Sequence, residues 1–195
     1  MTEAEIRSYL RTEKMGKSLV CFADTDSTNI QAKLLAEQNA PDGTLVCSDQ
    51  QTKGRGRRGR AWDSPPGEAI YMSLLLRPDI HPEHASMLTL VMGMAVADAI
   101  NELMGGESAG IKWPNDVVLK GKKVSGTLTE MSTEMDCIHY VVIGTGINVN
   151  TQKFPKELDQ ATSLRLAAGH NFRRAELIAL CMKYFEKYYA LFERT

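Results

Sequence analysis

Val117-Val118-Leu119-Lys120-Gly121-Lys122-Lys123-Val124-Ser125-Gly126-Thr127-Leu128-Thr129-Glu130-Met131 is a stretch in which two β-prone runs flank a single glycine. Val117 to Lys120 and Val124 to Met131 read as strands, and Gly121 suits the tight turn of a hairpin because it enters the left-handed backbone region without a steric penalty. Working outward, Ile111 to Trp113 and Tyr140 to Ile147 also read as strands, so a mainly antiparallel sheet follows from the hairpin.

Further upstream, Pro82 to Leu103 carries a broad helical apolar face that stops at Gly105-Gly106, and Ala69 to Leu76 is an apolar strand. Thr44 to Asp49 and Ser18 to Ala23 read as strands, Asp26-Ser27-Thr28-Asn29 opens a helix running to about Gln38, and Glu3 to Leu10 is a short helix. Downstream, Ala175 to about Phe192 is an amphipathic helix. No internal repeat, low-complexity tract or linker is visible, so the expectation is one α+β domain over residues 1–195.

The chain has 195 residues, of which 43% are hydrophobic, enough for one substantial core. A formal charge of −1 gives no general electrostatic reason to bind nucleic acid or an anionic membrane. Cys21, Cys47, Cys137 and Cys181 form no CxxC pair, which excludes a readable zinc or redox motif and points to reduced thiols. The opening residues, MTEAEIRSYLRTEK, lack an apolar core, and no later apolar run approaches the length of a membrane span. The cytoplasm, with no membrane partner, is the default expectation.

Three segments carry chemistry. Gln51-Thr52-Lys53-Gly54-Arg55-Gly56-Arg57-Arg58-Gly59-Arg60-Ala61-Trp62 lies in a long polar stretch and places five cations within eight residues, with glycines that let the backbone bend around a ligand. It lacks the GK[ST] ending of a Walker A loop, and its GxGxxG is not followed by a helical pattern as a Rossmann turn requires. Read alone, it is equally a solvated basic loop, or one that binds RNA. Lys112-Trp113-Pro114-Asn115-Asp116, followed closely by Lys122-Lys123-Val124-Ser125-Gly126, sets lysines near a carboxylate and an amide, an arrangement suited to charge building on phosphate. Taken singly, these are also an ordinary turn and an exposed hairpin end. Gly144-Thr145-Gly146-Ile147-Asn148 leaves room for a ligand beside a strand.

In order and approximate spacing, Asp26 to Asn29, Gln51 to Trp62, Lys112 to Asp116, Lys123 to Gly126 and Gly144 to Asn148 resemble the catalytic domain of biotin protein ligases, over about residues 18 to 150. The resemblance implies a mixed, largely antiparallel sheet backed by helices, as in the fold shared with lipoate ligases and, distantly, one class of aminoacyl-tRNA synthetases. It implies ATP-dependent adenylation of biotin, with Mg2+, followed by transfer of biotin to a lysine of the biotin carboxyl-carrier domain of a carboxylase.

Ser27, Thr28, Asn29 and Gln51 are then expected to recognise the biotin head group. Gly54, Arg55, Gly56 and Arg57 belong to the loop that closes over biotin and the adenylate, and Trp62 packs near the adenine side. Lys123 contacts carboxylate and phosphate, Gly126 and Leu128 line the wall, and Asn115 and Asn148 contact the adenylate. Arg55, Arg57, Lys112 and Lys123 offset anionic charge, while Asp116 orients or deprotonates the incoming lysine; the metal ligands are left unassigned.

Lys-Val-Ser-Gly-Thr-Leu departs from the family's usual small residue-Gly-Ile-Leu, which puts hydroxyls at Ser125 and Thr127. No helix-turn-helix domain precedes the segment, so DNA binding is not expected, and the small C-terminal SH3-like barrel of many relatives is absent or truncated. Homodimers are common in the family, although no segment here shows an interface. Lipoate or octanoate transfer on the same kind of fold is the rival enzyme reading, and a nucleic-acid module using the basic loop is the non-enzyme one.

Overall fold

The computed structural model describes residues 1–106, 108–135 and 137–194. Among these, seven strands form one sheet: β1 (Leu19–Thr25), β2 (Thr44–Gln51), β3 (Ala69–Leu76), β4 (Ala109–Lys112), β5 (Asp116–Leu119), β6 (Lys122–Glu134) and β7 (Cys137–Asn148). Their spatial order is β1-β2-β3-β7-β6-β5-β4. Five α-helices accompany them: α1 (Glu3–Tyr9), α2 (Thr28–Glu37), α3 (Leu88–Met104), α4 (Leu164–Ala168) and α5 (Arg174–Phe192).

The hairpin between β5 and β6 turns through Lys120 and Gly121, whose φ angles of 50° and 80° belong to the left-handed region that a tight hairpin requires. All neighbouring strands pair antiparallel except β1 with β2, which are parallel and joined through α2. A mixed, largely antiparallel α+β fold is the result. The parallel pair was not legible in strand patterns alone, because it depends on where the chain returns after α2.

Strand β3 is buried at all eight positions, as a central strand covered on both faces must be. Ile70, Met72, Leu74 and Leu76 enter the larger core with residues of α3 and α5. Leu75, together with Val46 and Val142, joins a smaller cluster under Ala32 and Ala36 of α2. Helices α3 and α5 therefore cover one face, while α2 covers only part of the other and leaves the rest of that face for a site.

Three expectations need correction. Pro82 to Leu103 is not α-helical throughout: Pro82–Met87 forms 3-10 turns before α3 begins. Pro82–Met104 is, by length and composition, apolar enough to cross a membrane, contrary to the expectation that no run reaches that length. Its apolarity has another physical reason, since Leu88, Met92, Val96 and Ile100 are fully buried in the core that α3 shares with α5. Finally, β4 ends at Lys112 rather than Trp113, which belongs to the turn leading through Pro114 into β5.

One irregularity matters for function. Val117 is opposite Ser125 but Val118 is opposite Lys123, so Val124 is an extra residue in β6. A β-bulge of this kind breaks the alternation of side chains. Val124 and Ser125 are both fully buried, and Lys123 and Gly126 both reach the open face.

Candidate active site

A cavity of about 600 Å³ opens on the part of the sheet that α2 leaves uncovered. Its floor depends on absent side chains. A Cβ at Gly146 would lie 2.5 Å from Cε2 of Trp62, and one at Gly126 would lie 3.0 Å from Cζ3 of the same ring. Because Gly126 and Gly146 are cross-strand partners, the indole lies flat on bare backbone. At Gly144 a Cβ would collide with the Asn29 side-chain amide.

The inner end is polar and closed. Ser27, Thr28 and Asn29 are buried at the start of α2, and Ser27 makes no side-chain cap. The capping work passes to Gln51, whose Oε1 accepts from the Thr28 N–H at 2.9 Å and from its hydroxyl at 3.1 Å. Gln51 Nε2 donates to Ser64 Oγ at 3.0 Å, which ties this end to the basic loop. Ser73 Oγ lies 2.8 Å from Thr28 Oγ1 and 2.6 Å from Asn29 Oδ1. Asn29 Nδ2 donates to Glu130 at 2.8 Å, and the other oxygen of Glu130 pairs with Lys33 at 2.6 Å. Burial opposes ionisation of Glu130, but the bonds from Lys33 and Asn29 outweigh it and hold the carboxyl below its ordinary range.

The mouth is cationic. The basic loop folds back on itself through an Arg55–Ala61 bridge, with the Gly56 N–H donating to Arg60 at 2.7 Å and the Trp62 N–H to Gly54 at 3.0 Å. Arg57 reaches across the opening to donate to Asn115 Oδ1 at 3.0 Å, and Asn115 Nδ2 donates to the Thr127 carbonyl at 3.0 Å. The Lys123 ammonium sits 2.8 Å from Asp116 and 5.4 Å from the centre of the Trp62 ring. Asn148 donates to the Thr162 carbonyl at 3.1 Å, anchoring the segment after β7, whose Phe154, Leu158 and Ala161 line the opposite side.

Ser27, Thr28, Asn29, Gln51, Arg55, Gly56, Arg57, Trp62, Asn115, Asp116, Lys123, Gly126, Leu128 and Asn148 all line this cavity. Two expected residues do not. Lys112 is exposed on edge strand β4, where it pairs in register with Asp116, and it is not among the residues that line the cavity, so the cavity geometry lends no support to its expected part in charge neutralisation. Gly54 borders an adjoining groove beneath the basic loop instead, and a Cβ there would strike the Trp62 carbonyl, so its part is to let the loop close on itself. Ser125 and Thr127 alternate with Gly126 and Leu128, which directs their side chains to the face where Thr129 meets Thr89 of α3 at 2.8 Å.

Sequence reasoning missed Ser73, Glu130, Lys33 and the wall from Phe154 to Ala161. For Glu130 a signal existed, because it shares the strand face of Gly126 and Leu128 at a period of two. Tyr71, also on the wall, donates to the Pro65 carbonyl at 2.9 Å, and burial pushes its phenol pKa well up. Among the described residues no three His, Cys, Asp or Glu side chains converge to hold a metal ion.

The chain matches the Biotin/lipoate A/B protein ligase family over residues 20–148. It is 48% identical over 192 residues to the bifunctional ligase/repressor BirA of Bacillus subtilis, covering 97% of this chain and 59% of that protein. Against the biotin--[acetyl-CoA-carboxylase] ligase of Mycobacterium tuberculosis it is 37% identical over 170 residues, covering 84% and 61%. The chain thus spans less than two thirds of the length of these relatives. The structure of the biotin protein ligase from Aquifex aeolicus in complex with biotin and ATP is similar with a TM-score of 0.79 at 38% identity, covering 92% of this chain and 73% of that one.

Proposed function

Because the chain belongs to the biotin/lipoate A/B protein ligase family, we propose that it joins biotin to ATP as biotinyl-AMP and then passes the biotinyl group to a lysine of a biotin carboxyl-carrier domain. The observation that carries this reading is the gradient along one cavity: buried amides and hydroxyls at the α2 end, a glycine floor in the middle, and Arg55, Arg57 and Lys123 at the mouth. Biotin has the same order of chemistry, a ureido ring, an apolar body and a carboxylate that becomes an acyl phosphate. The Aquifex relative, solved with biotin and ATP, supports the same pairing of ligands.

In the first step a biotin carboxylate oxygen attacks the α-phosphorus of ATP, and the bond to the β-phosphate oxygen breaks to release pyrophosphate. Negative charge grows on the α-phosphate during this step, and cations already placed at the mouth stabilise it without rearrangement of solvent. Lys123 is the best placed, since its ammonium can leave Asp116 for a phosphate or carboxylate oxygen within the reach of one side chain. Mg2+ belongs to this proposal as a companion of the ATP phosphates, and no step is assigned to it.

In the second step an acceptor lysine, as the free amine, attacks the biotinyl carbonyl, and AMP departs as its C–O bond breaks. Asp116, released by Lys123, is positioned to hold the incoming ammonium and take its proton. Arg57 and Asn115 bridge the opening and shield the mixed anhydride from water meanwhile. The use of ATP and the free cysteines support a cytoplasmic setting for the proposed reaction.

Calorimetric titration with biotin, alone and with Mg-ATP, followed by mass spectrometry of the bound ligand, tests the reading. Tight binding with biotinyl-AMP recovered is the expected result. Binding of lipoate in preference to biotin, or of neither, overturns it.

A further inference from the structure

The mouth of the cavity must admit a second substrate that is itself a folded protein. A lysine side chain has only a four-carbon stem, so when its amine reaches an acyl group in the cavity, the backbone that carries it stops at the rim. Residues beside that lysine then touch whatever the rim presents. The Arg55, Arg57 and Lys123 cations at the mouth repel a lysine ammonium, so the acceptor has to be drawn in by another kind of contact.

On the Asp116 side the rim is the turn Trp113-Pro114-Asn115, which joins β4 to β5 and borders the cavity. Asn115 is already engaged. Its side chain accepts from Arg57 and donates to the Thr127 carbonyl, and its own carbonyl accepts from the Thr127 N–H at 2.9 Å. These bonds pin the turn to β6. Pro114 is partly buried, whereas Trp113 is 77% exposed.

The other tryptophan, Trp62, lies on the glycine floor, so one indole serves the inside of the cavity and one stands outside it. An exposed indole offers a large, rigid apolar area at a small cost in rotamer freedom, which is why tryptophan so often anchors an interface. Its place in the chain gives the direction. Asp116 follows three residues later, so no more than roughly 10 Å separates the two Cα atoms. A segment seated on Trp113 thus brings its lysine toward the carboxylate that the proposed second step uses.

We propose that Trp113 is an acceptor-binding residue, which holds apolar surface next to the target lysine of the incoming protein and takes no part in adenylation. The inference rests on the proposed ligase reading and names the group of this site that recognises the protein substrate.

The test compares the full chain with its Trp113→Ala and Trp113→Phe variants in three reactions. These are biotinyl-AMP formation from biotin and Mg-ATP, transfer to a purified carrier domain, and transfer to hydroxylamine, a nucleophile too small to need docking. Trp113→Ala should raise the KM of the carrier domain roughly tenfold or more, as loss of an aromatic anchor does, with kcat held. Adenylate formation and the hydroxylamine reaction should stay within about twofold on the same grounds, and Trp113→Phe should recover most of the carrier-domain affinity. If Trp113→Ala lowers the melting temperature, Trp113→Gln, which keeps some bulk without the ring, should show the same split.

An unchanged KM for the carrier domain in a folded variant overturns the inference. Equal losses toward hydroxylamine and carrier domain, or slower biotinyl-AMP formation, do so as well, because the indole then serves the first-step ligands. An unaltered chain that forms no biotinyl-AMP removes the proposed function along with it.

Discussion

The ammonium of Lys123 lies 2.8 Å from the carboxylate of Asp116 at the mouth of the cavity, although the two residues belong to adjacent strands β6 and β5. With its side chain about a third exposed, Lys123 is free to exchange that partner for an incoming anion. Lys123→Ala is expected to reduce pyrophosphate release by roughly 100-fold or more, the scale seen when one charge-stabilising group is lost from a reaction centre. Lys112→Ala, on the exposed edge strand, should stay within a few-fold of the unaltered chain. Equal losses in the two variants would mean that bulk positive charge, not the position of Lys123, is what the reaction uses.

Arg57 bridges the opening to Asn115 at 3.0 Å, and both groups are on the cavity wall. Arg57→Gly should leave the melting temperature almost unchanged, because an exposed side-chain bond contributes little to folding. The adenylate should dissociate faster, so that lysines on bystander proteins become biotinylated when mixed with the variant and Mg-ATP. Retention of biotinyl-AMP through gel filtration at the unaltered rate would show that Arg57 does not close the site.

The glycine floor makes a sharper demand. Gly146→Ala places a methyl group 2.5 Å from the Trp62 ring, so either the indole moves or the β6–β7 pairing strains. A loss of roughly 1–3 kcal/mol in unfolding free energy is expected from overpacking of this kind, together with weakened ligand binding. Tryptophan emission in a Trp113→Phe background follows the displacement of Trp62. Normal stability with an unchanged emission spectrum would contradict the packing described for this ring.

Away from the site, Glu186 of α5 accepts from the backbone N–H groups of Glu13, Lys14 and Met15 at 2.7 to 2.9 Å. Burial alone would raise its pKa, but these three bonds outweigh that and lower it. A carboxyl lowered on folding contributes stability that is complete above the unfolded carboxylate value of about 4.3 and is lost as pH falls through the lower folded value. Glu186→Gln should therefore lower the melting temperature near pH 7 and flatten the decline between about pH 5 and 3. Parallel curves for the two proteins over that range would remove Glu186 from the acid transition.

Much of this architecture was legible because it rests on local chemistry. Gly121 after Lys120 dictated the hairpin, the apolar run Ala69 to Leu76 dictated a buried strand with those same bounds, and Gly105 stopped α3 with a φ of 69°. The family pattern also brought Thr28, Gln51, Arg57, Lys123 and Asn148 to notice, although they are scattered over 121 positions from first to last. Spacing named these residues, but it could not say which of them meet. The family pattern singled out Lys123 for the carboxylate and phosphate contact, and only the structure shows that Lys123 lines the cavity while Lys112, the cross-strand partner of Asp116, does not.

What the sequence by itself determined was therefore the set of elements, set by turn chemistry and apolar periodicity, and the short list of polar residues too specialised to be surface filler. What tertiary structure decided was which of them share a face. Strict alternation along β6 would have put Lys123 and Gly126 on opposite sides of the sheet, and the extra residue Val124 brings them to the same one. Likewise, Ser73 of β3, Asn29 of α2 and Glu130 of β6 form one hydrogen-bonded chain only because the sheet order sets β7 between β3 and β6, with its Gly144 leaving room for Asn29. Pairing of strands distant in sequence is a global outcome of packing, which no local pattern encodes.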